Sequence, residues 1–442
     1  AAQVEVIALL GGKVSAQIVD EVGPDQIHHG RAREHGILDR FTTRRRGRHA
    51  GLALVKGGRL IERHRARVDP DIGDGAGGHP SAALHFGERF ERPALREAAE
   101  GRRFPDRARS RPGDRVAAYL PNIPETIVAF LACASIGAVW SLCAPDMGTH
   151  AVLDRFRQIA PTVLLAVDGV TYGGRDHDRC DVLAELRAQL PTLRHVVLVN
   201  NLDASKTVAD TACYASVIAR NDAETAAFEP AWLPFDHPLW IVYSSGTTGL
   251  PKPIVHPHGG MVLVAMLTGL HMDLGGSIGA NNFGERFLWY SSTGWVMWNC
   301  QVAGLLSGTT CVIYDGSPGG PREAPDWGVL WRFAARHGVT FFGSGAAFYA
   351  GCMKAGVDLS QCGDLSRIRA LGTTGSPLSA EVQQWGSDQF KRIAKTAAQE
   401  DIWWLNISGG TDFAGGFIAG TPELPQRPGV MQCRMLGSAV EA

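Results

Sequence analysis

The chain has 442 residues, of which 45% are apolar and 20% charged, and its formal net charge is -1. A length above about 300 residues predicts more than one structural unit, and a net charge this close to zero provides no global field for nucleic acid or a membrane surface. We find neither an apolar run of about 18 residues nor a signal peptide. We therefore expect a cytoplasmic protein with no nucleic-acid or membrane partner.

The nine cysteines form no Cys-x-x-Cys pair, and most of them lie inside apolar runs. This distribution argues against a zinc site and against a disulfide framework. Reduced thiols in the protein core are the expected state.

Residues 1–110 differ from the rest because they are crowded with Arg, Gly, His and Ala, with basic clusters at 44–49, 62–67 and 101–103. Three interpretations remain open. The segment is an arm for nucleic acid, although no aromatic or groove-reading element accompanies the charge; it is a disordered or poorly packed appendage; or it is a GC-rich gene translated out of frame. We treat 1–110 as one atypical segment and 111–442 as the folded domain.

From residue 111 onward, short apolar strands alternate with helices of 10 to 15 residues, interrupted by a polar connector at 200–238. This alternation is typical of parallel β-α-β units. The sequence therefore predicts an α/β fold in which helices flank parallel sheets. Strands are predicted at 116–120, 138–142, 162–167, 195–199, 239–242, 286–290, 310–314, 339–342, 368–371 and 401–405, and helices at 125–136, 150–159, 181–190, 259–270, 296–306, 327–337 and 346–355.

The strand at 239–242 leads into the run Tyr-Ser-Ser-Gly-Thr-Thr-Gly-Leu-Pro-Lys at 243–252. A loop at the carboxyl end of a strand is where open α/β sheets bind ligands. Glycines permit close backbone approach, and hydroxyls and a cation suit phosphate oxygens. Only two residues separate Gly246 from Gly249, which excludes a Walker A loop. A ligand-free surface loop is the alternative. The candidate phosphate ligands are Ser244, Ser245, Gly246, Thr247, Thr248, Gly249 and Lys252.

The run at 243–252 resembles the phosphate loop of the adenylate-forming enzymes, the superfamily that includes the acyl-CoA synthetases. Five further segments match the same superfamily in the same order, and their sequences are similar to those of the synthetases that use acetoacetate. They are 112–122, 134–141, 289–299, 408–412 and 432–442. The resemblance covers residue 111 to the end. It implies the large N-terminal domain of that superfamily and a ligase that joins acetoacetate to CoA through an acyl adenylate, with ATP, Mg²⁺ and CoA as cofactors and cosubstrates.

The resemblance also assigns roles to residues. Thr248 and Lys252 act in catalysis within the phosphate loop, Thr411 meets a phosphate oxygen after Gly409 and Gly410, and Asp412 holds Mg²⁺, for which a carboxylate oxygen is suited. Most relatives have glutamate in place of Asp412 and an aromatic residue in place of Ser408. A polar turn after a strand is the alternative interpretation of this segment.

Two further assignments follow from the same resemblance. Gly375, Ser376 and Pro377 lie along the adenine and ribose, with an ordinary Gly-Pro turn as the alternative. Trp295 borders the acyl pocket, with a core position as the alternative. Apart from the resemblance, the histidines at 256 and 258 are expected at the surface, with contact to phosphate as the alternative.

The resemblance implies that the chain stops before a ribose-binding aspartate, a hinge and a small mobile domain that carries a lysine. We therefore expect weak activity or none from the chain alone. Two other functions remain open: a synthetase for another short acid such as acetate or propionate, and a catalytically dead nucleotide-binding remnant. A monomer or weak homo-oligomer is expected.

Overall fold

A computed structural model describes residues 83–84, 112–219, 228–244, 249–274, 285–395 and 397–441. Apart from one short strand, Ala83–Leu84 (β1), the atypical segment 1–110 and its boundary lie outside the described residues. The three interpretations of that segment therefore stay predictions.

The first of two large sheets is built from the amino-terminal half of the described chain. Its strands are β2 (Arg115–Tyr119), β3 (Val139–Cys143), β4 (Val163–Val167), β7 (His195–Val199), β8 (Ala212–Cys213), β9 (Pro238–Ser244) and β10 (Lys252–Pro257). They lie in the order β10-β9-β3-β2-β4-β7-β8. All neighbours pair in parallel except β10, which returns antiparallel to β9 at the edge.

The second large sheet follows in the chain. Its further strands are β11 (Arg286–Trp289), β12 (Thr310–Val312), β13 (Phe341–Gly345), β14 (Ala370–Thr374) and β15 (Trp403–Asn406). With β1 at one edge the order is β1-β12-β11-β13-β14-β15, and only the β1–β12 pair is antiparallel. The carboxyl ends of β14 and β15 therefore meet at one edge of the sheet.

Two small antiparallel sheets complete the strands. One is the hairpin of β5 (Gly169–Tyr172) and β6 (Arg175–Asp178), and the other joins β16 (Ser408–Gly410), β17 (Gly415–Ala419) and β18 (Cys433–Arg434). Among the described helices, none combines the length and the apolar character that crossing a bilayer requires. The helices are α1 (Pro124–Ile136), α2 (Thr149–Ile159), α3 (Cys180–Gln189), α4 (Tyr214–Ile218), α5 (His258–His271), α6 (Val296–Ala303), α7 (Val329–Arg336), α8 (Ala346–Lys354), α9 (Ala380–Ile393) and α10 (Ala397–Glu400), with 3-10 turns at Gly304–Ser307 and Leu359–Gln361.

Burial explains why the strands are apolar throughout instead of alternating. Every residue of β3 and of β4 is buried, because helices cover both faces of a parallel sheet. Helix α1 begins with a proline, which suits the first helical turn, and its residues from Thr126 to its end are all buried. It packs inside the core and carries no solvent-exposed stripe.

Trp289 determines the composition of the strands beside it in the second sheet. The side chain is fully buried, and a Cβ added at Gly343 or Gly372 would lie 2.2 or 2.5 Å from its ring. Only glycine leaves this space on the two neighbouring strands. Glycine, which is depleted in strands, therefore stands in the middle of both β13 and β14.

The structure confirms the predicted α/β fold with parallel sheets and flanking helices, and it corrects several details. Strands β13 and β14 run three residues further than the predicted 339–342 and 368–371, for the reason given by Trp289. The connector at 200–238 contains β8 and α4. The sequence analysis missed β10, α9 and both small sheets.

Candidate functional site

A cavity of about 340 Å³ lies at the carboxyl ends of β14 and β15. One side, which we call the strand-end wall, consists of residues 373–378 and 406–411. Another part of the lining, the helical wall, is formed by residues of α5, α6 and the 3-10 turn Gly304–Ser307. Trp295, at the start of α6, also lines the cavity. Of the candidate site residues from the sequence, the cavity gathers Trp295, Gly375, Ser376, Pro377, Gly409, Gly410 and Thr411.

The turn after β14 depends on a glycine. Gly375 has φ +90°, which side chains rarely adopt, and a Cβ there would lie 3.4 Å from two ring atoms of Trp295. The Thr374 hydroxyl donates to the Ile407 carbonyl (2.8 Å), which ties this turn to the exit of β15. The half-buried indole of Trp295 thus lies against the strand-end wall.

The hairpin of β16 and β17 carries the second part of the strand-end wall. A Cβ at Gly409 would lie 2.2 Å from the backbone oxygen of Gly415 on the facing strand. Thr411 and Asp412 occupy the turn, where the Ala414 amide donates to the Thr411 carbonyl (3.3 Å). Asp412 is exposed and follows directly after the cavity-lining Thr411.

The phosphate-loop candidates are placed differently. Ser245, Gly246, Thr247 and Thr248 lie outside the described residues. Ser244 ends β9 and pairs with Lys252, which begins β10. Lys252 and Gly249 are exposed. Neither of these residues nor Ser244 or Asp412 lines the cavity.

His256 connects this β9–β10 hairpin to the strand-end wall. Its Nε2–H donates to the Thr411 carbonyl (2.9 Å). Burial, more than the opposing effects of that carbonyl and of Asp412, holds the pKa of His256 below its usual value, so the ring is neutral near pH 7. Strand β10 and the Thr411 turn are therefore joined by a hydrogen bond from a residue that was predicted at the surface.

The expectation of surface histidines is wrong for both residues, since His256 and His258 are buried. Burial lowers the pKa of His258 to about 4, with a smaller contribution from His237. The two histidines flank the junction where the edge strand β10 turns into α5, and this edge strand was not recognised in the sequence.

Two polar atoms of the strand-end wall have no hydrogen-bond partner among the described residues, Thr373 Oγ1 and Asn406 Oδ1. Both side chains are buried and line the cavity. Asn406 Nδ2 donates to Gln383 Oε1 (3.1 Å), which leaves the Oδ1 acceptor for a ligand. The sequence analysis missed both residues. The feature that could have identified them is their position at the carboxyl ends of neighbouring parallel strands.

Within the described parts of the chain, no group of three or more His, Cys, Asp or Glu side chains could hold a metal ion. Magnesium in nucleotide sites is commonly held by one or two carboxylates together with substrate phosphates. The exposed Asp412 carboxylate fits such a shared site.

Comparison with known proteins places these features in a family. A family profile described as "AMP-binding enzyme" matches residues 107–405. The acetoacetyl-coenzyme A synthetase of Rhizobium meliloti (strain 1021) is 39% identical over 335 residues, covering 74% of this chain and 48% of that protein. The acetoacetyl-CoA synthetase of Gallus gallus is 36% identical over 336 residues, covering 75% and 48% respectively.

A solved structure gives the same result. The acetoacetyl-CoA synthetase from Streptomyces lividans matches with a TM-score of 0.69 and 46% identity, over 78% of this chain and 50% of that one. The chain thus spans about half the length of the curated relatives it matches. Since the family profile covers most of the described residues, this chain belongs to the family of AMP-binding enzymes.

Proposed function

We propose that the protein joins acetoacetate to CoA at the expense of ATP, through an acetoacetyl adenylate. The single observation that carries the proposal is that one cavity is lined by Trp295 and by the segments 375–377 and 409–411, which are separate in sequence. The names of its relatives, acetoacetyl-coenzyme A synthetases, support this substrate.

The strand-end wall is the proposed nucleotide site. The free Oδ1 of Asn406 accepts hydrogen bonds only, which suits the exocyclic amine of adenine. The turn at Gly375 lets a planar base come close to the backbone. Thr373 adds a buried hydroxyl without a partner among the described residues, and such a group gains when a ligand satisfies it.

The β9–β10 hairpin is the proposed site of the outer phosphates. Lys252 is exposed at the loop end of this hairpin, where its ammonium contributes a point charge to the β- and γ-phosphates. The His256 bond to the Thr411 carbonyl fixes this hairpin against the turn that carries Thr411 and Asp412. Bound Mg²⁺ neutralises charge on the phosphate oxygens, and Asp412 is the described carboxylate that would hold it.

In the proposed reaction, a carboxylate oxygen of acetoacetate bonds to the α-phosphorus of ATP while the bond to pyrophosphate breaks. The CoA thiol then displaces AMP from the adenylate and forms the thioester. Both steps depend on positioning more than on covalent work by the protein. Trp295 separates the reacting carboxylate from solvent, and Thr411 donates its hydroxyl to a phosphate oxygen.

The direct test is a single-turnover reaction with the protein in excess over radiolabelled ATP. We expect pyrophosphate and acetoacetyl adenylate to form slowly and only when acetoacetate is added, and thioester to form slowly when CoA follows. ATP that is bound but never cleaved in the presence of any short acid would instead identify a nucleotide-binding remnant. Faster cleavage with acetate or propionate than with acetoacetate would reassign the substrate.

We further propose a cytoplasmic protein. Five of its cysteines are buried free thiols, Cys133, Cys143, Cys311, Cys352 and Cys362, and reduced thiols are typical of that compartment. A monomer or weak homo-oligomer remains our proposal for the quaternary state, and light scattering of the purified protein tests it.

A further inference from the structure

Helix α6 presents one face to the cavity. Apart from Met297, its lining residues Val296, Asn299, Cys300 and Ala303 follow the i, i+3, i+4, i+7 spacing of a single helical face. Three of these side chains are uncharged and small or apolar. Asn299 is the exception, because its polar carboxamide lies on a face whose other side chains are small or apolar.

Asn299 is buried, with 6% of its surface exposed. Within the described part of the chain its amide makes no hydrogen bond to any other residue. An amide that a bound ligand shields from water without pairing it costs about 1 to 3 kcal/mol. The neighbouring amide of the same helix, Gln301, by contrast donates to the Val312 carbonyl. The Gln301 Oε1 atom is fully enclosed and has no partner among the described residues. The polar atoms of Asn299 are not fully enclosed, and the residue lines the cavity, where a ligand can reach its amide.

The surroundings of Asn299 exclude a charged ligand group on the helical wall. Helix α5 contributes Met261, Val264 and Ala265 to the cavity. Burial raises the pKa of the Cys300 thiol to about 12, so this thiol is protonated and neutral near pH 7. A wall without a cation favours the uncharged end of a short acid, and its single buried carboxamide favours an uncharged polar group there.

We propose that Asn299 determines specificity for 3-oxo acids by donating a hydrogen bond from Nδ2 to the keto oxygen of acetoacetate. This inference rests on the proposed function, since it assigns the acyl end of the substrate to the helical wall. The acid's carboxylate then lies toward the strand-end wall and the α-phosphate. Butyrate has the same four-carbon chain but no oxygen at carbon 3, so it leaves the Asn299 amide unpaired.

The expected selectivity depends on the free-energy cost of leaving a buried polar group without a hydrogen-bond partner. A pocket built to hydrogen-bond a substrate rejects an analogue that lacks the bonding atom more strongly than an apolar pocket rejects a shortened chain. Two other polar side chains line the helical wall, Thr268 and Ser307, but both residues are partly exposed, whereas Asn299 is buried.

The experiment measures the affinity of acetoacetate and of butyrate by isothermal titration calorimetry, with α,β-methylene-ATP present to prevent turnover. The wild-type protein should bind acetoacetate at least about tenfold more tightly than butyrate. Asn299→Leu, which replaces the amide by an apolar group of similar size, should weaken acetoacetate about 10- to 100-fold and leave butyrate unchanged or tighter. Asn299→Ala should also abolish the preference.

Thr268→Val is the matched variant, because it removes a different polar group from the same wall. It should change the affinities of the two acids in parallel. Binding of the nucleotide analogue to each variant reports that the variant is folded.

The outcomes separate this inference from the proposed function. Equal affinities of the wild-type protein for the two acids, or a preference that survives Asn299→Leu and Asn299→Ala, would overturn the role of Asn299 and leave the proposed ligase intact. If neither acid binds to the wild-type protein, both fail.

Discussion

The two walls of the cavity are built by different means. The strand-end wall consists of Gly, Ser and Thr segments that leave parallel strands, and its geometry tolerates no added atoms at Gly409 and little at Gly375. The helical wall consists of ordinary helix residues with one buried carboxamide residue, Asn299. In the function we propose, the first wall accepts a nucleotide with backbone and small side chains, and the second selects an acid by the shape and polarity of its side chains. Substitutions in the two walls should therefore have separable effects.

The largest effect is expected in the strand-end wall, from Gly409→Ala. The new Cβ meets the Gly415 backbone oxygen, which cannot move aside as a side chain would, so we expect a loss of about 3 kcal/mol in the free energy of unfolding and weaker ATP binding. Urea denaturation and nucleotide titration measure both.

Gly148→Ala is the control for this substitution. Gly148 has φ -66° and its Cβ would meet nothing within 4 Å, so its effect should stay within about 0.5 kcal/mol. Similar losses for Gly409→Ala and Gly148→Ala would contradict the tight packing of the hairpin.

The next effect concerns the beginning of the helical wall. His258, the first residue of α5, has a folded-state pKa of about 4, below the unfolded value of 6.5. Its neutral form therefore contributes stability that is complete above about pH 6.5 and is lost as the pH falls toward 4. The linked free energy amounts to about 3 kcal/mol at most.

Replacement of His258 by Leu should consequently flatten the fall in stability between pH 7 and pH 4, by up to about 3 kcal/mol relative to the wild type. Urea denaturation at a series of pH values measures this difference. Parallel pH profiles of the two proteins would mean that His258 is accessible to protons in the folded state.

A third effect belongs to neither wall. Lys252→Ala should weaken ATP binding by about 1.5 to 3 kcal/mol, because a charged hydrogen bond to the outer phosphates is lost, while AMP binding stays the same. Lys354→Ala, at an exposed lysine of α8, is the matched control. Equal weakening of ATP and AMP by Lys252→Ala would remove this lysine from the β- and γ-phosphates.

The smallest effect is expected where the two walls meet. Trp295→Phe keeps an aromatic ring against Gly375 but shortens it, so AMP and acetoacetate should each lose about 1 kcal/mol of binding free energy. A loss confined to one of the two ligands would show that Trp295 serves one wall only.

The two walls also differ in how far their residues could be predicted from the sequence. Residues 375–377 and 409–411 were predicted from their resemblance to the adenylate-forming enzymes, and the structure brings them together in one cavity. Asn299 was missed because a lone amide in the apolar run of α6 is indistinguishable from a core position until the cavity is visible.

Strand β10, helix α9 and the burial of the two histidines were also not predicted from the sequence, and each has a physical explanation. Strand β10 contains Pro253 and Pro257, which argue against a strand except at a sheet edge, where the structure places it. Helix α9 carries a usable signal, since the Ser379 side chain accepts from the Val382 amide at its N-cap. The buried histidines depend on the contact between β10 and the Thr411 turn, which links residues 155 positions apart and has no local signal.

The central claim is that the two walls enclose one continuous site for nucleotide and acid. The 3-oxobutyl ester of AMP, a non-reactive mimic of the acyl adenylate, tests it most directly by calorimetry against AMP alone. Because linking two ligands that occupy adjacent sites makes the second binding event intramolecular, we predict that the ester binds at least about 100-fold more tightly than AMP. An ester that binds no better than AMP would show that the acid does not lie beside the nucleotide, and would contradict the account.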